Sequence, residues 1–82
     1  MTSRRVSLTE VEALFRNRLN LDISSPDDDL IDQGLLDSML LIELIFSLET
    51  YYGITIPIQD LDLDQLRSVR SVTALINDVR GA

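Results

Sequence analysis

Apolar positions along this chain recur at helical spacing in three stretches and at period two in a fourth. The first stretch sets Leu8, Val11, Leu14, Phe15 and Leu19 on one face, with Ser7 ahead of it and Glu10 three residues on. That pair is the reciprocal cap of a helix N-terminus, so an amphipathic helix is expected over residues 8–19. From Asn20 to Leu36 the periodicity is lost around Ser25-Pro26 and Asp27-Asp28-Asp29. A connection of this length is unusual in a compact domain, and Leu30, Ile31, Leu35 and Leu36 are the side chains available to pin it down.

The second helical pattern runs from Ser38 to Tyr52 and stops at Gly53, the residue best suited to the left-handed turn that ends a helix. At about 100° per residue, Leu41, Leu44, Ile45, Leu48 and Tyr52 share a face that belongs in a core. Met39, Ile42 and Phe46 form a second apolar stripe, centred about 140° away by the same arithmetic and flanked by Glu43 and Glu49. One core cannot bury both. After Gly53, Ile54-Thr55-Ile56-Pro57-Ile58 reads as extended and Asp60-Leu61-Asp62-Leu63-Asp64 alternates. Periodicity alone allows a hairpin there, but Pro57 weakens its first arm and no further strand completes a sheet, so a short third helix over residues 58–65 is expected. A last helix starts near Ser68 or Ser71 and continues to Val79, with Val69, Val72, Leu75, Ile76 and Val79 inward and Leu66 just before it. The expected fold is all-α: a small four-helix bundle with a long loop between the first two helices and a short third helix. A single domain spans residues 1–82, with residues 1–6 flexible.

Composition narrows what such a bundle does. Its 82 residues contain no cysteine and no histidine, so disulfides, zinc knuckles and the commonest general base are all missing. A core of this size also leaves little room for a buried active-site cavity. Fourteen acidic residues against seven basic ones give a net charge of −7, which repels nucleic acid and anionic membranes and favours basic protein surfaces. Arg4-Arg5 suggests a twin-arginine leader, but Glu10, Glu12, Arg16 and Arg18 interrupt what would have to be its apolar segment. No stretch approaches the roughly 18 consecutive apolar residues of a membrane span, and the chain is read as a cytoplasmic monomer. Asp60, Asp62 and Asp64 imitate the start of a calcium loop, yet Gln65 stands where that loop needs glycine and no glutamate closes it. Those acids, like Asp27-Asp28-Asp29, are read as solvated charge, and no metal site is expected.

One side chain remains as candidate chemistry. Ser38 follows Gly34-Leu35-Leu36-Asp37 at the mouth of the second helix, where either Asp37 or Ser38 would serve as N-cap. A nucleophilic serine needs a base oriented by a third group, and this chain has neither histidine nor lysine to serve, so an enzyme is not expected. The purely local alternatives are a capping serine or an attachment point. For the stripe they are a partner-binding patch of a small helical adaptor, a contact between two copies, or a merely loosened core.

The span Leu30–Pro57 resembles the acyl carrier protein superfamily. The resemblance rests on Asp37-Ser38 opening a helix, Glu43-Leu44 five and six residues later, Leu48-Glu49, an aromatic at Tyr52, and Ile56-Pro57. The order of helix, long loop, helix, short helix and helix extends it over nearly the whole chain. It implies a 4′-phosphopantetheine arm, derived from coenzyme A, on Ser38, and an acyl or aminoacyl cargo held as a thioester and delivered to partner enzymes. It further implies that Asp37, Met39, Ile42, Glu43, Phe46 and Glu49 are read by those partners: a phosphopantetheinyl transferase, an adenylating ligase or acyltransferase, and downstream acceptors. Leu35 stands where fatty-acid carriers usually have glycine, and Leu40, Thr50 and Tyr51 replace acids common in their second helix. Gly34-Leu35-Leu36-Asp37-Ser38-Met39 is similar instead to the D-alanyl and free-standing aminoacyl or peptidyl carriers. A dedicated carrier of specialised metabolism or envelope modification is expected first, and a specialised fatty acyl or polyketide carrier second.

Overall fold

In the computed structural model, which describes residues 5–81, Ser7 and Glu10 open helix α1 (Leu8–Leu19) with the reciprocal cap. The Glu10 N–H donates to Ser7 Oγ at 3.2 Å and the Ser7 N–H to Glu10 Oε1 at 3.5 Å. Asn20 ends the helix in the left-handed region at φ 58°, a conformation that asparagine tolerates better than most side chains. Helix α2 (Ser38–Tyr52) ends the same way at Gly53, φ 65°, where no Cβ opposes the turn. Helix α3 (Val69–Gly81) is opened by two serines in exchange: the Ser71 N–H donates to Ser68 Oγ and the Ser68 N–H to Ser71 Oγ. The described residues contain no strand.

The expected short third helix is replaced by two 3₁₀ turns, Ile58–Asp60 and Leu63–Leu66, so the described residues form three α-helices where four were expected. Between the turns Leu61 and Asp62 are extended, with ψ 130° and 132°, and the Asp62 side chain caps the second turn by accepting from the Asp64 N–H at 3.0 Å. Pro57 supplies no N–H at the front of the segment. Asp62 is a better cap than helix interior, and its capping breaks the segment in two.

Helix α1 packs against both α2 and α3, and the second 3₁₀ turn lies on α3. Val11 and Phe15 of α1, Leu44 and Leu48 of α2, and Val69, Val72 and Ile76 of α3 are completely buried, joined by Leu30 from the loop and Leu66 from the second turn. Val6, assigned by sequence to a flexible start, is instead buried, and its N–H and carbonyl both bond the Asn77 side chain at 2.7 and 3.1 Å. The flexibility expected of residues 1–4 lies outside the described residues.

The acidic run of the long loop is not free solvated charge. Arg70 grips Asp27 with two nitrogens, at 2.5 and 3.2 Å, and Arg67 reaches Asp29 at 2.9 Å while also holding Asp64 at 2.6 Å. Asp28 accepts the Ser25 N–H at 3.2 Å. The Arg70 hydrogen bond holds the Asp27 carboxyl below its ordinary 3.8, and the Asp32 N–H, with Arg67 behind it, does the same for Asp29.

At the far end of α2 two tyrosines meet edge to face, their ring centres 4.8 Å apart. Arg18 of α1 lies over Tyr51 and Arg80 of α3 over Tyr52, each 5.6 Å from the ring centre, so the last turns of all three helices are tied through cation–π contacts. The Tyr52 hydroxyl is shut off from water and has no hydrogen-bond partner among the described residues. Burial pushes its pKa up to about 12, with Glu10 and Tyr51 adding to the effect and Arg80 opposing it.

Replacing Tyr52 by Phe removes an unpaired buried hydroxyl, so thermal unfolding should show a gain of about 1 kcal/mol, or about 4–8 °C in Tm. Because the folded Tyr52 pKa lies above the unfolded one, the wild type should also lose stability as pH rises from about 10 through about 12, while Tyr52→Phe lacks that contribution. At the acid end the sign reverses. Asp27 and Asp29 titrate lower when folded, so their stabilisation is complete above 3.8 and lost as pH falls through the folded values. The Tm advantage of wild type over Asp27→Asn/Asp29→Asn should therefore be present at neutral pH and absent in strong acid.

Candidate functional site

The approach to Ser38 is a sequence of tight backbone turns hung on one buried leucine. The Leu30 carbonyl accepts from both the Leu35 N–H (2.9 Å) and the Leu36 N–H (3.0 Å), and the Gly34 N–H closes onto the Ile31 carbonyl at 3.0 Å. Gly34 has φ 79° with open space around the position of a Cβ, so glycine is favoured there by its backbone angle alone. Leu36 is buried, and the chain then emerges.

Asp37 takes the cap. Its backbone is extended (φ −107°, ψ −175°), its Oδ1 accepts the Leu40 N–H at 2.9 Å, and its carbonyl receives the Leu41 N–H at 2.8 Å. Ser38 thus becomes the first residue of α2, exposed, and no hydrogen bond to another described residue occupies its hydroxyl. The cap is thus made by Asp37, and the serine oxygen is left without a partner among the described residues. The chain has no histidine or lysine to serve it as a base.

On the next turns Met39, Ile42 and Phe46 stand 78%, 67% and 65% exposed, and with exposed Glu43 they line a shallow apolar hollow. The opposite face of α2 buries Leu44, Ser47 and Leu48, with Leu41, Ile45 and Tyr52 half-buried beside them. Asp37, Ser38, Met39, Ile42, Glu43 and Phe46 are therefore brought together at the start of α2. Glu49 is placed differently from a rim charge: it is half-buried, and its Oε2 accepts the Ile56 N–H at 2.8 Å, fastening the chain that leaves α2. Ile58 and Leu63, which the sequence pattern assigned to secondary structure and not to a surface, are also exposed, at 62% and 49%. Neither the extended pattern that ends at Ile58 nor the alternating run that holds Leu63 gave a sign of it. Helix α2 carries no basic residue, so the surface around Ser38 is apolar with an acidic edge.

Asp62 and Asp64 are engaged in the second turn and with Arg67, and among the described residues no group of acidic side chains is arranged to hold a metal ion. No helix of the described residues is long and apolar enough to cross a membrane.

Comparison with known proteins supplies the family. The family model for the phosphopantetheine attachment site matches residues 9–76. The D-alanyl carrier protein of Leuconostoc mesenteroides is 36% identical over 73 residues, which cover 88% of this chain and 94% of that protein. The corresponding figures are 33%, with 88% and 94% covered, for the D-alanyl carrier protein of Leuconostoc citreum, and 34%, with 88% and 87% covered, for that of Streptococcus sanguinis. The residues present fit a covalently attached phosphodiester, for Ser38 offers an exposed, uncommitted hydroxyl at a helix start where the backbone dipole favours negative charge. The chain belongs to the phosphopantetheine-attachment family of the acyl carrier protein superfamily: it is a carrier with 4′-phosphopantetheine as its covalent cofactor, and not itself an enzyme.

Proposed function

We propose that Ser38 is the residue that carries the arm, and that Met39, Ile42 and Phe46, edged by Asp37 and Glu43, are the surface read by the enzymes that install and load it. The observation that supports this most is the free, exposed Ser38 hydroxyl beside an aspartate already committed to capping. In the transferase Ser38 Oγ attacks the pantetheine-side phosphorus of the coenzyme A pyrophosphate, forming the serine phosphodiester as the P–O bond to adenosine 3′,5′-bisphosphate breaks. The serine proton goes to a base of the transferase, since this chain has no histidine or lysine to take it. Once attached, the group supplies the thiol, absent from this cysteine-free sequence, on which cargo is held as a thioester. The chain's own residues orient and present. Asp37 and Glu43 meet basic groups at the rim of a partner, while the apolar stripe supplies contact area that gains by leaving water. Glu49 is left out of this surface, since its carboxylate is occupied by Ile56.

The cargo is an amino acid, loaded by an adenylating ligase and passed on for modification of the cell envelope. The D-alanyl carriers among its relatives support this, as does Leu35 in the place where fatty-acid carriers usually have glycine. The carrier works as a monomer in the cytoplasm, where coenzyme A and the loading enzyme meet it.

Incubation with coenzyme A, Mg²⁺ and a promiscuous phosphopantetheinyl transferase, followed by intact mass, should show one added arm on wild type and none on Ser38→Ala. No gain on folded wild type, or a gain that survives Ser38→Ala, overturns the assignment. Ile42→Arg and Phe46→Arg should weaken loading with the helical circular-dichroism signal intact, and unchanged kinetics in both would refute the stripe. Asp37 separates into two roles by substitution. Asp37→Ala should lower stability by about 1 kcal/mol through loss of the cap, whereas Asp37→Asn should keep the cap and lower only the rate of arm transfer.

A further inference from the structure

Ser38 sits at the end of a long irregular loop, and that loop is fastened to the start of α3 at four points. Two are backbone bonds: the Leu30 N–H donates to the Arg67 carbonyl at 2.7 Å, and the Arg70 N–H donates to the Pro26 carbonyl at 2.9 Å. Two are ion pairs made by the same two arginines, Arg67 with Asp29 and Arg70, fork to fork, with Asp27. Each arginine thus holds the loop by main chain and by side chain at once. A planar guanidinium gripping a carboxylate with two nitrogens, as Arg70 does, fixes direction as well as distance.

The fastening continues to the serine without a gap. Leu30, whose N–H is held by Arg67, uses its carbonyl to hold the N–H groups of Leu35 and Leu36, and Asp37 and Ser38 follow directly. We infer that Arg67 and Arg70 are positioning residues for the carrier's reactions: they register the loop on α3 so that Asp37-Ser38 is presented in one place to a visiting enzyme. This rests on the reading that Ser38 bears the arm. The hydrogen bonds and ion pairs of the two arginine side chains go to Asp27, Asp29 and Asp64 and none to the serine or the stripe, so their effect is on where the hydroxyl is held. The side chains of the two pairs are 37–64% exposed, and exposed pairs are individually weak. The clamp is therefore a local device, able to loosen while the core under it, from Phe15 to Ile76, stays folded.

The test compares wild type with Arg67→Met/Arg70→Met, which keeps the apolar stems and removes both charges, and with the charge exchange Asp27→Arg/Arg70→Asp. Amide hydrogen exchange by NMR on the full chain should quicken about tenfold at Leu30, Leu35 and Leu36 in the double methionine variant, with Phe15, Leu44 and Ile76 unchanged. With coenzyme A, Mg²⁺ and the transferase, KM for the carrier should rise several-fold at nearly constant kcat. The charge exchange should bring the loop amides and KM back toward wild type where Arg70→Asp alone does not. Unchanged loop exchange and KM in the methionine variant would overturn the proposal, and so would equal acceleration at Phe15 and Ile76, which is global loosening. A wild-type chain that gains no arm overturns the Ser38 assignment instead, and the loop amides then decide the clamp on their own.

Discussion

Leu30 is held by its side chain and by both of its backbone groups at once. Its side chain is completely buried, its N–H is held by the first residues leading into α3, and its carbonyl holds the two residues that precede Asp37. Without such an anchor, residues 20–36 would be a long closed loop whose ends are fixed only by the helices they join. The entropy of ordering it would then fall on the helices alone. With the anchor, the loop is divided into short spans between buried points at Ile23, Leu30 and Leu36, and the end of the last span is the start of α2. The position of the serine is a consequence of burying a leucine seven and eight residues upstream of the cap and the helix it opens.

The second constraint is that α2 has more apolar residues than one core can cover. Leu44 and Leu48 go inward and are completely buried, and the helices around them leave no second layer for Met39, Ile42 and Phe46. Each of those side chains forgoes about 1.5–3 kcal/mol that full burial would return, which a chain of this size tolerates only because the rest of its core is closed. On the function proposed for the stripe, contact with a partner enzyme is what would complete the burial that folding left undone.

Much of the site was readable from particular residues. Ser7 with Glu10, and Gly53 after an apolar run, gave the ends of α1 and α2 because caps are local: the donor and acceptor lie within a few residues of each other. The stripe was readable because helical periodicity assigns faces without knowledge of the neighbours. Residues 58–66 were not, since alternating Asp and Leu serve a strand, a short helix or successive 3₁₀ turns equally well, and only the Asp62 cap chose between them. Asp27 and Asp29 looked like solvated charge because their partners stand 43 and 38 residues away, and no pattern within one chain couples positions that distant. The bond from the Ile56 N–H to Glu49, only seven residues back, was hidden for a different reason: it depends on how the chain turns after Gly53, which side-chain periodicity does not encode.

By itself the sequence determined the helical segments, the missing catalytic groups, the acidic balance and the Asp37-Ser38 pair, all of which depend on residue type and short-range spacing. The choice between Asp37 and Ser38 as cap was decided only by the fold. Both side chains have the chemistry for it, and the extended backbone at Asp37, delivered there by a loop hung on Leu30, put one carboxylate on the helix and left one hydroxyl in water.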